Sequence, residues 1–227
     1  MPISPDVPPS AGRPLRRDAQ RNRDALLAAA GAHFADQGLH APLEQIAKQA
    51  QLAIGTLYRH FPTRVDLIQA VFADKLRTWL DAAERATAME DAWRGFQLFV
   101  ETMCELQADD RGFADLTSMR LPDSISLERT RSRIHDLGVR VVHRAQEQGG
   151  LRADVTPEDL AFVIWSHGRI TEATRDIAPL AWRRHLHLVL DAFRADRAHP
   201  LPEPSMTPDE VYQAMVQLGG HGNCTEA

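Results

Sequence analysis

The sequence predicts an all-α protein, with an N-terminal three-helix head that contains a helix-turn-helix and a larger helical domain behind it. Apolar residues recur at helical spacing along most of the 227 residues, helix-start signals precede several of these segments, and no alternating strand pattern or internal repeat stands out. The predicted parts are a disordered basic arm at 1–16, the head at 17–63, the larger domain at 64–198, and an extension with a short helix at 199–227.

The head is predicted from three apolar stripes. Residues 18–37 place an apolar face on one helix, and Gly38 follows as a stop signal. Two shorter stripes come next, and only Gln51, Leu52 and Ala53 separate them. A connection this short makes the two helices cross sharply and bury their stripes against each other, which is the helix-turn-helix geometry. The two stripes are Leu43, Ile46, Ala47 and Ala50, then Ile54, Leu57, Tyr58 and Phe61.

These residues resemble the TetR family of bacterial transcriptional regulators. The resemblance is carried by the run Ile-Gly-Thr-Leu-Tyr-Arg-His-Phe-Pro-Thr-Arg at 54–64, by Leu43–Ala47 and by Ala29–Gly38. It implies that the Gly-Thr-Leu-Tyr helix is a DNA recognition helix and that Phe61 closes the core of the head. This chain departs from the family at Ala41-Pro42, where Thr is frequent, and at Gln51, where a turn Gly is usual.

The outer face of the recognition helix supplies the candidate DNA contacts. Gly55, Thr56, Arg59 and His60 are small, hydroxylated or basic, and they have no core to enter. Together with the resemblance, this face implies base-edge contacts for Thr56 and Arg59. Arg17 adds positive charge from the first helix. The expected phosphate contacts are Tyr58, His60, Thr63 and Arg64.

The charge distribution favours the same end of the molecule, although the whole chain carries a net charge of −5. Residues 1–64 hold eight Arg or Lys against five Asp or Glu and carry +3, whereas the remainder holds 18 against 26 and carries −8. A basic head on an acidic body concentrates the attraction for phosphate in the head. A chance surface fluctuation would give the same asymmetry, so charge alone does not decide the function.

Other classes of protein are disfavoured by features that the sequence lacks. No apolar run approaches the roughly 18 residues of a membrane span, and the Pro-rich start has no apolar segment of a secretory signal. Cys104 and Cys224 are too few for a disulfide framework. His185 and His187 lack the i, i+4 spacing of a zinc pair, and no phosphate-binding loop or nucleophile elbow appears. We therefore expect a cytoplasmic protein that is not an enzyme and has no cofactor or metal.

One long helix is predicted directly after the head. Thr63 and Asp66 have the spacing of a capping box, the apolar face runs from Leu67 to Leu80, and the helix is predicted over about 64–86. At 1.5 Å per residue this helix spans roughly 35 Å, enough to act as a rigid lever between head and body. Further helices are predicted at 91–109, 124–148, from Thr156 and at 178–195, with a short broken helix within 110–123.

Aromatic and Met side chains in the larger domain predict either a plain core or a pocket for a small hydrophobic or aromatic effector. His167 would orient the ligand by a hydrogen bond, and its alternative is a core histidine bonded to backbone. The resemblance makes the two late apolar helices the four-helix homodimer interface. The ligand-binding candidates are Trp79, Trp93, Phe96, Val100, Met103, Trp165 and His167, and the interface candidates are Phe162, Trp182, Leu186, Val189, Leu190 and Phe193.

The sequence thus favours a homodimeric, sequence-specific DNA-binding repressor that a small hydrophobic ligand releases from its double-stranded operator. The alternative is a helical small-molecule binding or catalytic protein whose head no longer binds DNA. The basic head, Tyr58 and His60 favour the first hypothesis, and a gel shift with the DNA upstream of the gene distinguishes the two.

Overall fold

The structure, a computed structural model, describes residues 12–121 and 125–220. These residues contain ten α-helices. Their bounds are α1 Gly12–Gln37, α2 Leu43–Gln49, α3 Ile54–His60, α4 Arg64–Ala88, α5 Ala92–Ala108, α6 Arg111–Ser118, α7 Ile125–Glu147, α8 Leu160–Thr174, α9 Ala181–Ala192 and α10 Pro208–Gly220, with 3₁₀ turns at Pro157–Asp159 and Ala195–Arg197. One isolated bridge joins Leu151 to Arg194. The all-α prediction is confirmed, and none of the described helices is long and apolar enough to cross a membrane.

The head consists of α1, α2 and α3, which share one apolar core. As predicted, Ile46 and Leu57 from the two short helices are fully buried, and Phe61 is buried just after α3. Tyr58, which the spacing assigned to the same stripe, is instead 46% exposed. It lies one residue beyond Leu57, about 100° around the helix, and so turns away from the core. The α1 side of this core is Leu26, Ala30 and Phe34.

The head differs from the sequence prediction at its first helix and has an unusual turn between α2 and α3. α1 begins at Gly12, so residues 12–16 belong to this helix rather than to the predicted arm, and residues 1–11 lie outside the described residues. Gln51, in the turn, has a φ of +58°. This left-handed conformation costs a residue other than glycine about 1–2 kcal/mol, which explains why glycine is usual at such a turn.

α4 runs from the head into the body, as predicted. Thr63 Oγ1 accepts a hydrogen bond from Asp66 N at 3.1 Å, and Asp66 Oδ2 accepts one from Thr63 N at 2.9 Å, which closes the predicted capping box. The 25 residues of α4 give a length of roughly 37 Å. Its buried face passes from the head core into the body core through Leu67, Ile68, Phe72 and Leu76.

The body is built on α4, α5 and α7, which pack against one another. α8 packs on α5 and α6, and α9 packs on α8. α6, predicted as a broken helix, is one short helix, because the Asp110 carboxylate caps it by accepting from Phe113 N at 3.0 Å. α6 also packs on α1. Head and body are therefore joined through α4, through the α1–α6 contact and through Arg175 at the end of α8, whose Nη1 donates to Ala35 O of α1 at 3.3 Å.

Candidate functional site

The outer face of α3 is free of core packing. Tyr58 is 46% exposed, Gly55 and Arg59 are exposed, and Thr56 and His60 are half-buried. Arg59 Nη2 lies 3.5 Å from Thr56 Oγ1, which is too long to hold the guanidinium in place. An arginine on an exposed helix face is the side chain that most often pairs with guanine in the major groove.

Basic residues of α1 have different environments. Arg17 is exposed, and Arg21 pairs with Asp18 at 2.8 Å on the surface. The Arg23 guanidinium lies 4.5 Å from the centre of the Phe61 ring and covers the edge of the head core. The predicted DNA-binding Arg17 is thus a surface cation, whereas Arg23 has a structural partner.

Two of the predicted phosphate-binding residues have partners inside the protein. Thr63 Oγ1 donates to Asp66 Oδ2 at 2.8 Å as part of the α4 cap. Arg64 Nη1 donates to the carbonyls of Leu39 and Ala41 at 2.9 and 2.8 Å. Both carbonyls belong to the loop between α1 and α2, so Arg64 ties this loop to the first turn of α4.

The same loop is held from the body by Asp115 of α6. Its Oδ2 accepts a hydrogen bond from Leu39 N at 2.9 Å. Burial raises the pKa of this carboxyl, and the Leu39 bond and Arg111 oppose the rise. Gly112 allows α6 to approach α1 closely, because a Cβ there would lie 2.8 Å from Phe34 Cβ. Leu39 therefore bonds to α6 through its N–H and to α4 through its carbonyl.

A cavity of about 480 Å³ lies between α4, α5, α6, α7, α8 and α10. Ligand sites of roughly 300–1,000 Å³ suit drug-sized molecules. The wall is mainly apolar and aromatic, and it includes Leu76, Trp79, Phe99, Val100, Met103 and Ile134. This cavity is the candidate effector site.

Polar and charged groups also border the cavity. Arg120 pairs with Glu128, and its guanidinium lies 5.3 Å from the centre of the Tyr212 ring. Arg131 donates to two backbone carbonyls at the end of α6, and burial lowers its pKa to about 10, so it stays cationic at neutral pH. Two buried donors of lining residues, Trp79 Nε1 and Arg120 Nε, have no hydrogen-bond partner within the described residues. The remaining charged lining residues are Asp136, Glu158 and Asp209, beside His135.

The predicted ligand-binding residues divide into two groups. Trp79, Val100 and Met103 line the cavity. Trp93 and Phe96 instead stack on each other at 5.5 Å, and Phe193 meets Phe96 edge-on at 5.8 Å. Phe96, Val100 and Met103 share one face of α5, but the first turns of that face pack on the end of α9 and only its later turns reach the cavity.

Trp165 and His167 also differ from their predicted role, because neither lines the cavity. Trp165 Nε1 donates to Ser118 O at 3.1 Å. His167 is fully buried, with Nε2 2.9 Å from Cys104 O. Burial lowers the pKa of His167 to about 4, so the imidazole is neutral at pH 7. His167 is the backbone-bonded core histidine of the alternative interpretation.

The ligand-binding candidates predicted from the sequence include no residue of α7. Ile134 and Val139 of α7 line the cavity, and the signal was the spacing of buried Leu127, Ile134 and Val141. α10 adds a further set that was not considered for the pocket, consisting of Val211, Tyr212 and Met215.

The predicted dimer residues are unevenly exposed. Phe162 of α8 is 50% exposed. α9 turns a stripe at i, i+4 and i+8 inward, so Trp182, Leu186 and Leu190 are buried within the protomer, and Val189 and Phe193 also pack partly against the core. The exposed large apolar residues near Phe162 in sequence are Ile177, Leu180 and Leu188.

Two family models match the chain. The model of the tetR family of bacterial regulatory proteins matches residues 26–71, and that of the C-terminal domain of SbtR-like transcriptional regulators matches residues 90–195. The first match covers the helix-turn-helix and the start of α4, and the second ends after α9. α10 lies outside both.

Individual proteins are also similar to this chain. The fatty acid metabolism regulator protein of Bacillus subtilis (strain 168) is 31% identical over 97 residues, 40% of this chain and 48% of that protein. The match therefore spans about half the length of that relative. The TetR transcription regulatory protein from Mycobacterium vanbaalenii is 30% identical and covers 80% of this chain and 99% of its own, with a TM-score of 0.47. The transcriptional regulator FadR from Bacillus subtilis, solved in complex with stearoyl-CoA, is 18% identical over 74% of this chain and 97% of its own, with a TM-score of 0.51, and shares the fold.

The helix-turn-helix head and the helical body, together with these matches, define a bacterial transcriptional regulator. The chain belongs to the TetR family.

Proposed function

We propose that this regulator is a homodimeric repressor that binds double-stranded operator DNA through α3 and leaves it when a small hydrophobic ligand enters the body cavity. The observation that carries the proposal is an exposed recognition face and a largely apolar cavity joined by one unbroken helix, α4. In this proposal the regulator acts in the cytoplasm, catalyses no reaction and needs no cofactor.

In this proposal the outer face of α3 reads the operator. Thr56 and Arg59 contact base edges, while Tyr58, His60 and Arg17 contact phosphates, since these side chains are exposed or half-exposed at the surface of the head. Thr63 and Arg64 keep their internal hydrogen bonds. A phosphate contact by Arg64 uses its remaining donors, so its main contribution is to hold the α1–α2 loop.

A second copy of the chain packs on the exposed apolar residues of α8 and α9. Two heads are needed because one helix-turn-helix reads too few bases, and two-fold operators place half-sites about one DNA turn, roughly 34 Å, apart or at a multiple of that distance. Phe162 and Leu188 are 50% and 59% exposed, and burying them between two copies removes apolar surface from water. These residues replace the buried part of the predicted interface.

The ligand is an apolar molecule that carries a hydrogen-bond acceptor. The apolar wall provides most of the binding free energy by excluding water, and the unpartnered donors Trp79 Nε1 and Arg120 Nε call for an acceptor. Trp79→Phe keeps the aromatic shape and removes the donor, so it should weaken the binding of a ligand with a carbonyl and leave a plain hydrocarbon unaffected.

In this proposal α4 couples the cavity to the head. Leu76 and Trp79 of α4 line the cavity, so a ligand that fits only a tilted α4 shifts the spacing of the two heads. A ligand changes an equilibrium only by its differential affinity for the two states. A hundredfold loss of operator affinity requires about 2.7 kcal/mol of coupling.

The test is selection of DNA from a random pool by the purified protein, followed by gel shifts with the selected sequence. We expect an inverted repeat with half-sites about 10 base pairs apart, or a multiple, centre to centre. If the dimeric protein enriches no sequence yet binds small hydrophobic molecules, the small-molecule binding alternative replaces the repressor.

A further inference from the structure

α10 borders the cavity but lies beyond the family match, which ends at residue 195. Val211 and Met215, one helical turn apart, turn toward the interior and line the cavity, together with Tyr212. These residues therefore belong to the wall that a ligand would touch, although they lie outside the residues that the family model matches.

α10 is attached to the body at the end of α6 by a few contacts. Arg120 N donates to Met215 O at 3.1 Å, and the Arg120 guanidinium lies over the Tyr212 ring. At Gly219 the two segments come so close that a Cβ would lie 2.6 Å from Arg120 O. These contacts hold α10 against the end of α6, and the close approach requires that residue 219 have no side chain.

α10 is less buried than the α4, α5 and α6 walls of the cavity. None of its described side chains is fully buried, and Tyr212 and Val216 are 53% and 45% exposed. A helix of 13 residues is marginal in water without packing. Its first turn is nevertheless fixed, because Thr207 N donates to Glu210 Oε2 at 2.7 Å and Glu210 N donates to Thr207 Oγ1 at 3.3 Å.

The chain before α10 is anchored to the body. Thr156 Oγ1 donates to Ser205 Oγ at 3.0 Å, which ties this segment to the start of α8. α10 is therefore held at its first turn by a capped and anchored segment, while the rest of the helix is held by shallow contacts. Such an arrangement permits α10 to swing about its N-terminal end.

We propose that α10 is a hinged cover whose Val211 and Met215 complete the effector site, so that α10 sets the size of ligand accepted and the rate at which the ligand enters. The inference rests on the cavity being the ligand site of the proposed function. In the closed position the two side chains fill the mouth and contact the ligand. In the open position the ligand passes between α10 and the end of α6.

The contact half of the proposal is tested with N-phenyl-1-naphthylamine, a neutral apolar dye that fluoresces when it leaves water. Met215→Ala in the full chain should weaken dye binding about tenfold, since it removes apolar contact equivalent to roughly two methylenes. The matched control is Val216→Ala, which removes apolar surface from the adjacent outward position and should leave the affinity within twofold. Equal affinities for Met215→Ala and the wild type would overturn the contact.

The cover half is tested by the kinetics of dye binding in a stopped-flow instrument. Gly219→Ala adds one carbon against Arg120 O and favours the helix itself, so it lifts α10 without unfolding it, and both the association and dissociation rates should rise several-fold. Gln213→Ala on the exposed face is the control. Unchanged rates in Gly219→Ala would show that the ligand enters elsewhere.

These experiments use no DNA, so their outcome is separate from that of operator binding. If the wild type does not bind the dye at all, the cavity fails as a hydrophobic ligand site and the proposed function loses its switch. If the wild type binds it and all four variants behave like the wild type, the role of α10 alone is overturned.

Discussion

The head and the body of this protein use the same kind of helix, but their contacts join residues at very different distances along the chain. In the head, α2 and α3 bury Ile46 and Leu57 in one core across a four-residue connection. In the body, the cavity brings Val100 of α5 together with Met215 of α10. A site on one short helix can be inferred from a local pattern, whereas a cavity depends on how distant helices pack.

The largest effect of a substitution is expected on α9, where residues two positions apart lie on opposite sides of the helix. Leu186→Asp places a charge in the buried stripe and should reduce the free energy of unfolding by at least about 3 kcal/mol in urea denaturation. Leu188→Asp, two positions on, changes a side chain that is 59% exposed. It should yield a monomer in sedimentation, with a urea midpoint independent of protein concentration. Equal destabilisation by both variants would contradict the assignment of the two faces.

The corresponding experiment in the head is Arg59→Ala. Loss of a base contact should cost about 1–3 kcal/mol in operator binding and relax the sequence preference at one position. Binding to random DNA should change little, because a base contact contributes only where the matching base is present. The measurement is a titration of both DNAs at one salt concentration. The same loss on operator and random DNA would make Arg59 a phosphate contact instead.

A pH experiment distinguishes the two interpretations of His167, a buried core histidine or a solvated ligand-binding group. The pKa of His167 is lowered to about 4 by burial, so the unfolded chain binds more protons than the folded one below about pH 6.5. The free energy of unfolding therefore loses nothing to this group well above that pH, and it falls as the pH drops toward 4. At pH 5 the wild type should have lost about 2 kcal/mol from this group, a loss that His167→Gln avoids.

The measurement is the free energy of unfolding at pH 7 and pH 5 for both proteins. Burial also lowers the pKa of nearby His185, which both proteins retain, so its contribution cancels in the difference. The same pH dependence in the two proteins would mean that His167 is solvated.

The smallest effect is expected at the turn of the head. Gln51→Gly removes the strain of a left-handed residue and should stabilise the protein by about 0.5–1 kcal/mol, after the added flexibility of the unfolded chain is subtracted. Gln45→Gly makes the same change inside α2 and should destabilise it by about 1 kcal/mol. Thermal unfolding of the two variants checks the signs, and stabilisation by neither would rule out strain at Gln51.

The sequence predicted the helices of the head because most of the evidence there lies in local spacing, although it wrongly placed Tyr58 in the buried stripe and residues 12–16 in the arm. The capping box of Thr63 and Asp66, the stop at Gly38 and the exposed face with Arg59 all depend on residues within one or two turns. Arg64 was different, since its partners are the carbonyls of Leu39 and Ala41. Nothing in the spacing around residue 64 indicates that a loop more than twenty residues earlier folds back onto it.

In the body, periodicity identified the helices but not what each face meets. Trp93 and Val100 were assigned to one pocket, yet Trp93 stacks on Phe96 while Val100 lines the cavity. The apolar composition of α9 likewise provided no means of separating the inward stripe of Leu186 from exposed Leu188. Such differences depend on where neighbouring helices cross, and that is a tertiary property.

A ligand in the body cavity is proposed to control the affinity of the head for operator DNA. The direct measurement is operator affinity, with and without a saturating hydrophobic ligand that displaces N-phenyl-1-naphthylamine, for the wild type and for Val100→Trp, which fills the cavity. We expect the ligand to weaken operator binding of the wild type at least tenfold and to leave that of Val100→Trp unchanged. An equal loss of operator affinity in both proteins would contradict the proposal that the cavity controls the head, because the ligand would then act from outside the cavity.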